Sequence, residues 1–246
     1  PADPTKYVPE NHVHVLDLKS NPPRVKQVET DAQPSGISIS ADGSFALVAN
    51  RAAGTISVLH IDGKNVSHAQ TLAVCLSEDN VSDVAIHPNG KLALASVQQA
   101  GYLAVLAIQD RMIQLTPRKI SVYGKPYRVV ITPDGEVGLT AGQGYGSAVD
   151  TDALTVIDLE SDPIRSVDFV PLGAVPESFE VSPNGKLIAA VMMSGSNLPA
   201  DNPHHTDAGS VVLLSRKGTH VEVEQTVPVG PIPEGVAFTS DGDYLL

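Results

Sequence analysis

A four-residue turn sequence occurs five times along this chain, and its spacing limits the folds that the chain can adopt. Each copy ends in Asp-Gly or Asn-Gly, follows an alternating apolar segment and precedes a second apolar segment. The glycines lie 47, 45, 50 and 57 residues apart, and a period in this range is typical of arrays of small supersecondary units. The five copies begin at Ser40, His87, Thr132, Ser182 and Thr239.

Each repeat contains four predicted strands, which we call A to D in chain order. Strand A alternates apolar and polar residues, as at Ile37 and Ile39, and the Asp-Gly or Asn-Gly after it predicts a tight hairpin with a primed turn. Strand B, such as Leu92–Val97, is apolar on both faces, which indicates that both faces are covered. Four antiparallel strands in about 50 residues predict one blade of a β-propeller.

The two ends of the chain carry complementary parts of one further repeat. The N-terminus, from Tyr7 to residue 30, has the pattern of the end of a strand B followed by strands C and D, whereas residues 244–246 resemble the start of a strand B. We therefore expect the N-terminal strands to complete the blade begun by the C-terminus, which would remove exposed strand edges. The sequence predicts a single all-β propeller domain over residues 1–246 with about five blades, either as a closed ring or as a fragment of a longer propeller.

Composition narrows the partners that this chain can have. The net charge of −12 repels phosphate backbones and anionic lipid, so we expect no nucleic-acid partner. No apolar run approaches the ~18 residues that a membrane-spanning helix needs. The chain has no Trp, which disfavours stacking platforms for sugars or bases. We expect a periplasmic or secreted protein rather than a cytoplasmic one, with any targeting segment outside this chain.

The first complete repeat of the chain carries a family resemblance. Residues 34–50 (PSGISISADGSFALVAN) and 55–61 (TISVLHI) resemble the YVTN repeat of lactonase-like β-propellers, with residues 47–50 where the tetrapeptide that names the family would stand. Residues 126–135 and 233–242 repeat the first half of the motif. The resemblance spans essentially the whole chain and implies a propeller, usually of seven blades. It implies function only broadly, because the family includes lactone hydrolases, redox-enzyme subunits and proteins with no known activity.

Two long B-to-C connections are candidate sites, because loops on one face of a propeller surround the mouth of its channel. The connection at residues 142–153 holds Asp150 and Asp152. The connection at residues 194–209 holds adjacent histidines among carboxylates, a set that could ligate zinc or another divalent ion. The alternative is a polar surface loop, since neighbouring histidine side chains diverge. The candidate metal ligands are His204, His205, Asp201 and Asp207.

The starts of the A strands form a second candidate site, because their side chains would point into the channel mouth. Asp83, Arg128, Glu177 and Glu234 would make a ring of charge there, which could coordinate a cation or orient an ionic substrate. The alternative is that these groups pair with one another or cap loop amides. Glu180 interrupts an apolar strand A, so we expect it either to be paired or to have a raised pKa that suits a general acid.

Three functions remain open from the sequence. The first is a soluble propeller that binds a small polar ligand or a partner protein on the face that bears residues 194–209. The second is a lactonase-like hydrolase or isomerase for sugar-acid lactones, with or without a divalent metal. In it Arg128 would bind an anionic group, and Glu177, Glu180 or Glu234 would transfer protons. The third is a supporting subunit of a periplasmic redox enzyme. Against the lactonase alternative, only residues 126–128 resemble the strand start of phosphogluconolactonase-like enzymes, and no Asn-Glu ends a strand.

Overall fold

The computed structural model describes residues 8–144 and 151–246. Within them the chain is all-β, with eighteen strands and one short 3-10 turn at Ser77–Asp79. This confirms the predicted fold class. The described residues contain no helix with the length and hydropathy that a bilayer crossing requires. The first two strands, β1 (His12–Asp17) and β2 (Arg24–Glu29), form a two-stranded antiparallel sheet.

The other sixteen strands form four sheets, in each of which four consecutive strands pair antiparallel as one propeller blade. The first blade contains β3 (Pro34–Ile39), β4 (Phe45–Asn50), β5 (Thr55–Asp62) and β6 (Asn65–Ala73). The second contains β7 (Val81–Ile86), β8 (Leu92–Val97), β9 (Tyr102–Gln109) and β10 (Met112–Ser121). The third contains β11 (Lys125–Ile131), β12 (Val137–Gln143), β13 (Asp152–Asp158) and β14 (Arg165–Gly173). The fourth contains β15 (Pro176–Val181), β16 (Leu187–Met192), β17 (Gly209–Lys217) and β18 (His220–Val229).

The core follows the second strand of each blade. Every residue of β4 is buried, and β8, β12 and β16 are nearly as inaccessible, because a strand in the middle of a covered sheet has apolar neighbours on both faces. Leu47, Leu94 and Leu139 are fully buried there, and burial of each side chain stabilises the fold by roughly 1.5–3 kcal/mol. The fourth strands β6 and β18 are mostly exposed, as the polar pattern of strand D predicted.

The turn between the first two strands of a blade differs from the predicted primed hairpin. In the first blade Gly43 has a φ of +69° and donates to the Ser40 carbonyl at 2.8 Å, but Asp42 is not in the left-handed region. The Asp42 side chain instead accepts from the Ser40 hydroxyl and from the Ser44 N–H, and the Ser40 hydroxyl accepts from the Phe45 N–H. The side chains therefore build a wider, four-residue loop, and only the glycine needs a positive φ.

The chain comprises two compact units. Unit 1 contains residues 1–95 and 104–117, and unit 2 contains residues 96–103 and 118–246, so the division passes through the second blade. At the C-terminus Ala237 and Leu246 exchange backbone hydrogen bonds beside the bridge between Phe238 and Leu245. The joining of the two termini in one blade, like the single domain, stays a prediction, and Tyr7 lies outside the described residues.

Candidate functional site

The first strands of neighbouring blades lie side by side within each unit. In unit 1, β3 packs beside β7, and the Ile86 N–H donates to Ser38 Oγ at 3.0 Å. In unit 2, β11 packs beside β15. Each of β3, β11 and β15 begins with a register shift against its second strand, and such bulges re-aim side chains at the end of a sheet.

Arg128 and Glu180 form an ion pair between the third and fourth blades. Arg128 Nη2 donates to Glu180 Oε2 at 2.6 Å, and Arg128 Nη1 donates to Ser178 Oγ at 3.1 Å. The Arg128 side chain is 35% exposed and that of Glu180 is 30% exposed. Glu180 is therefore paired, which is one of the two states predicted for it. The Arg128 side chain remains partly exposed to solvent.

Glu177 begins the same strand as Glu180 and lies in its bulge, because Pro176 and Ser178 pair with consecutive residues of β16. Gln143, at the end of β12, donates through Nε2 to Glu177 Oε2 at 3.4 Å. Burial, and then the negative charge of Glu234, raise the pKa of the Glu177 carboxyl above its ordinary value. Glu234 itself is exposed.

The four predicted catalytic residues lie in unit 2 as two interacting pairs, Arg128 with Glu180 and Glu177 with Glu234. We call Arg128, Glu177, Glu180 and Glu234 the unit 2 cluster, to which Gln143 and Ser178 supply hydrogen bonds. The sequence patterns did not single out Gln143 or Ser178 as partners. The position of Ser178 in the repeat could have pointed to this contact. It stands seven residues before the turn glycine of its blade, as Arg128 does in the third blade.

Asp83, the fourth member of the predicted ring, belongs to unit 1, so the ring as a whole stays a prediction. A Cβ atom placed on Gly36 would lie 2.0 Å from Asp83 Oδ1 and 2.6 Å from Asp83 Cα. Gly36 precedes its turn glycine by seven residues, and Asp83 does the same in the next blade. Equivalent positions of neighbouring blades thus meet in unit 1 as in unit 2, with a glycine making room for the carboxylate.

The loop at residues 194–209 does not bring the predicted metal ligands together. His205 Nδ1 lies 2.8 Å from the Leu198 carbonyl, and its Nε2 lies 3.4 Å from Asp207 Oδ1. His204 and Asp201 are exposed. Among the described residues, no group of three or more His, Cys, Asp or Glu side chains is placed to hold a metal ion. A metal site there stays a prediction that requires the loop to rearrange.

The structure describes part of the other long connection, at residues 142–153. Asp150 lies outside the described residues. Asp152 is buried, and its Oδ2 accepts from the Val175 N–H at 2.8 Å. This carboxylate therefore anchors the start of the fourth blade to the third, which is a structural role.

The antiparallel four-stranded blades and the charged cluster at their first strands define a β-propeller with a polar site at the strand starts. A family model for the lactonase seven-bladed β-propeller matches residues 7–131, which is half of the chain. The chain belongs to this lactonase family. Its YVTN label remains a prediction. No curated protein sequence matches the chain.

Solved structures share the fold at low sequence identity. Hydrazine synthase from Kuenenia stuttgartiensis is 22% identical with a TM-score of 0.77, over 96% of this chain and 66% of that one. A putative 6-phosphogluconolactonase from Bacteroides fragilis is 15% identical with a TM-score of 0.73, over 97% and 70%. The periplasmic gluconolactonase of Pseudomonas aeruginosa is 17% identical with a TM-score of 0.65, over 90% and 66%. The chain spans about two thirds of the length of these structures.

Proposed function

We propose that the unit 2 cluster binds a sugar-acid lactone and promotes its hydrolysis. The observation that carries the proposal is the partly exposed Arg128–Glu180 pair, with Glu177 on the same strand as Glu180 and Glu234 close enough to act on Glu177. Membership of the lactonase family supports it, as do structural neighbours that are gluconolactonases. The binding of a small polar ligand, expected from the sequence, becomes the first step of this activity.

Arg128 is the group that would hold the substrate. Glu180 and Ser178 fix the guanidinium from one side, and its exposed N–H groups can donate to a substrate carboxylate or hydroxyl. The same groups can stabilise the negative charge that develops on the carbonyl oxygen during attack. A guanidinium held rigidly by an ion pair needs little reorganisation to do so.

Glu177 is the group that would move the proton. Its raised pKa makes it a better base than an ordinary carboxylate near neutral pH. An attacking water gives its proton to Glu177 while its oxygen bonds to the lactone carbonyl carbon. When the tetrahedral intermediate collapses, the ring C–O bond breaks and the ring oxygen takes the proton from Glu177. The product is the open hydroxy acid, and Glu177 returns to its ionised form.

Hydrolysis of glucono-δ-lactone by the purified protein, followed by acid release at constant pH, tests this function. We expect Glu177→Gln to lower kcat by about 10²- to 10⁴-fold, the usual effect of removing a general base. Arg128→Lys is expected both to raise KM and to lower kcat, because a lysine cannot reproduce the planar fork that holds the substrate and stabilises the developing charge. Asp62→Asn, an exposed substitution in unit 1, serves as the control. A rate equal to spontaneous hydrolysis, or full activity in Glu177→Gln, would overturn the proposal.

A further inference from the structure

Arg216 is a buried arginine at a position where the other blades carry an aliphatic residue. It ends the third strand of the fourth blade, and its N–H donates to the Lys186 carbonyl at 2.8 Å. The Ile108 N–H makes the same bond to Lys91 in the second blade, also at 2.8 Å. Both lysines directly follow a turn glycine. Arg216 and Ile108 are therefore structurally equivalent.

The Arg216 guanidinium fills the space between two turns of unit 2. Its Nη2 donates to Asp134 Oδ2, and its Nη1 lies 3.6 Å from Glu136 Oε2, both in the turn of the third blade. Its Nε donates to the Gly185 carbonyl at 2.6 Å, in the turn of the fourth blade. Only 5% of the Arg216 side chain is exposed. The two turns thus form a receptor for a guanidinium group.

The equivalent space in unit 1 is an open cleft. It has a volume of about 370 Å³ and is lined by the turn of the first blade, including Asp42, and the turn of the second, including Gly90. Ile108 and Phe45 form an apolar wall. A Cβ placed on Gly90 would meet nothing within 4 Å, whereas one placed on Gly185 would meet Arg216 Nη2 at 3.3 Å. The receptor is present in unit 1, but this chain supplies no guanidinium from the Ile108 position.

We propose that this cleft binds an arginine side chain presented by a partner polypeptide. Asp42 stands in the cleft as Asp134 stands opposite Arg216, since each is the third residue of its turn. Asp42 Oδ1 is held by the Ser40 hydroxyl and the Ser44 N–H, as Asp134 Oδ1 is held by Thr132 and Glu136. In unit 2 the second carboxylate oxygen bonds to the guanidinium. In unit 1 Asp42 Oδ2 accepts from the Ser44 hydroxyl at 3.0 Å and has a second lone pair for a bond to a guanidinium.

The surroundings of the cleft favour a cation of this shape. Asp110 lines the cleft and stands two residues after Ile108. In the fourth blade Gly218 stands two residues after Arg216, and its carbonyl accepts from Arg216 Nη1 at 2.9 Å. The apolar wall suits the flat, weakly hydrated face of a guanidinium better than a compact ammonium. The net charge of −12 attracts a basic polypeptide over a distance. Arg111 is the one lining residue that opposes binding by its charge.

Binding of a capped Ala-Arg-Ala peptide, followed by amide chemical shifts in nuclear magnetic resonance, tests the proposal. We expect shifts centred on Ser44, Gly90 and Asp110. The same peptide with citrulline, which is uncharged, or with lysine should bind at least about tenfold more weakly, because charge-assisted and bidentate bonds are lost. Equal affinity for the citrulline peptide would overturn the proposal. Guanidinium chloride that bound as tightly as the arginine peptide would overturn the assignment to a polypeptide.

Two matched variants, one inside the cleft and one outside it, should differ in peptide binding. Asp42→Asn keeps the turn, because Asn184 makes the same bonds to Ser182 and Lys186 in the fourth blade, and it should weaken peptide binding at least about tenfold. Asp62→Asn removes the same charge outside the cleft and should leave binding unchanged. Equal binding by both variants would contradict the proposal.

The strongest test moves the arginine within the chain. Ile108→Arg should place a guanidinium in the cleft from inside, abolish peptide binding and raise the unfolding temperature. Arg111→Ala should instead tighten peptide binding severalfold, since it removes the opposing charge. If Ile108→Arg folds, as its circular dichroism would show, and still binds the peptide like the original protein, the cleft is not a guanidinium receptor.

Discussion

Arg128 Nη2 donates to Glu180 Oε2 at 2.6 Å, and this bond connects the first strands of two neighbouring blades. Glu180 replaces a residue that is Ser38, Ala85 or Val130 in the preceding blades. A partly buried carboxylate at that position is costly without a partner, and the arginine of the neighbouring blade supplies one.

The contribution of this pair to stability is measurable by a double-mutant cycle. We expect Arg128→Met and Glu180→Gln to show a coupling free energy of about 1 kcal/mol in urea unfolding, a value reduced by the partial exposure of both side chains. The control cycle is Lys64 with Asp17, whose atoms are 2.7 Å apart but whose lysine side chain is 72% exposed. Its coupling should be clearly smaller than that of Arg128 with Glu180, because an exposed ion pair is screened by water. Equal coupling in both cycles would contradict a specific role for the blade-to-blade pair.

Gly36 should tolerate no side chain. Gly36→Ala forces a methyl group against the Asp83 backbone, since the new Cβ would lie 2.6 Å from Asp83 Cα, and we expect a loss of about 1–3 kcal/mol. Gly235 occupies the same register in the fifth turn repeat, has no heavy atom within 4 Å of its Cβ direction, and has no positive φ. Gly235→Ala should therefore change the free energy of unfolding by less than about 0.5 kcal/mol. Chemical denaturation of the two variants checks the difference.

Glu177 should make the stability depend on pH in a predictable direction. Because the pKa of its carboxyl is raised in the folded protein, its ionisation opposes folding increasingly as pH rises above the ordinary value of 4.5. Glu177→Gln should therefore unfold at a higher urea concentration than the original protein at pH 7. The difference should vanish once the pH falls below about 4, where the carboxyl is protonated in both states. Glu224→Gln, an exposed change, should show no such pH-dependent gain.

Asp134 should have the opposite pH dependence. Burial raises the pKa of its carboxyl, but hydrogen bonds from Thr132, Glu136 and Arg216 outweigh burial and hold the pKa below its ordinary value of 3.8. Asp134→Asn leaves Arg216 buried beside a neutral amide, and we expect a loss of about 1–3 kcal/mol at pH 7, a range that allows for the exposure of Asp134.

The stability that Asp134 provides is present above pH 3.8 and is lost as pH falls through the lowered pKa of the folded state. The difference between Asp134→Asn and the original protein should therefore shrink in acid. Asp241→Asn makes the same change in an exposed turn and should cost much less than Asp134→Asn at pH 7. Similar losses in the two variants would show that the turn, rather than Arg216, accounts for the effect.

The repeat pattern was sufficient to predict the strands. The predicted strand B at residues 92–97 coincides with β8, and the other strands predicted between residues 12 and 226 lie within or overlap β1 to β18. The strands predicted on either side of the fifth turn form only an isolated bridge between Phe238 and Leu245. The primed hairpin after strand A was wrong, because the Ser or Thr hydroxyl and the Asp carboxylate bond to the backbone and widen the loop. A two-residue turn with positive φ at both positions occurs instead at Asp110 and Arg111, between β9 and β10, where the sequence carries no glycine.

The candidate site was only partly predictable. Glu180 could be singled out because it interrupts an apolar strand, and Arg128, Glu177 and Glu234 because they stand at the starts of A strands. Their partners could not, because Gln143 and Ser178 are ordinary polar residues whose role depends on the strand that packs beside them. Arg216 was overlooked although it carried the same signal, a charge where Ile61, Ile108 and Leu159 stand in the other blades.

The amino-acid sequence alone determined the blade, since strand alternation and turn residues act over a few neighbours in the chain. It also determined which register positions carry charge. Only the tertiary structure decided which charges meet, because Arg128 finds Glu180, and Asp134 finds Arg216, across blades. Contacts between residues so far apart in the chain depend on how two sheets pack. No local preference of the chain encodes that packing. The packing decides that one space between blades is filled by the Arg216 ion pair and that the equivalent space is an open cleft.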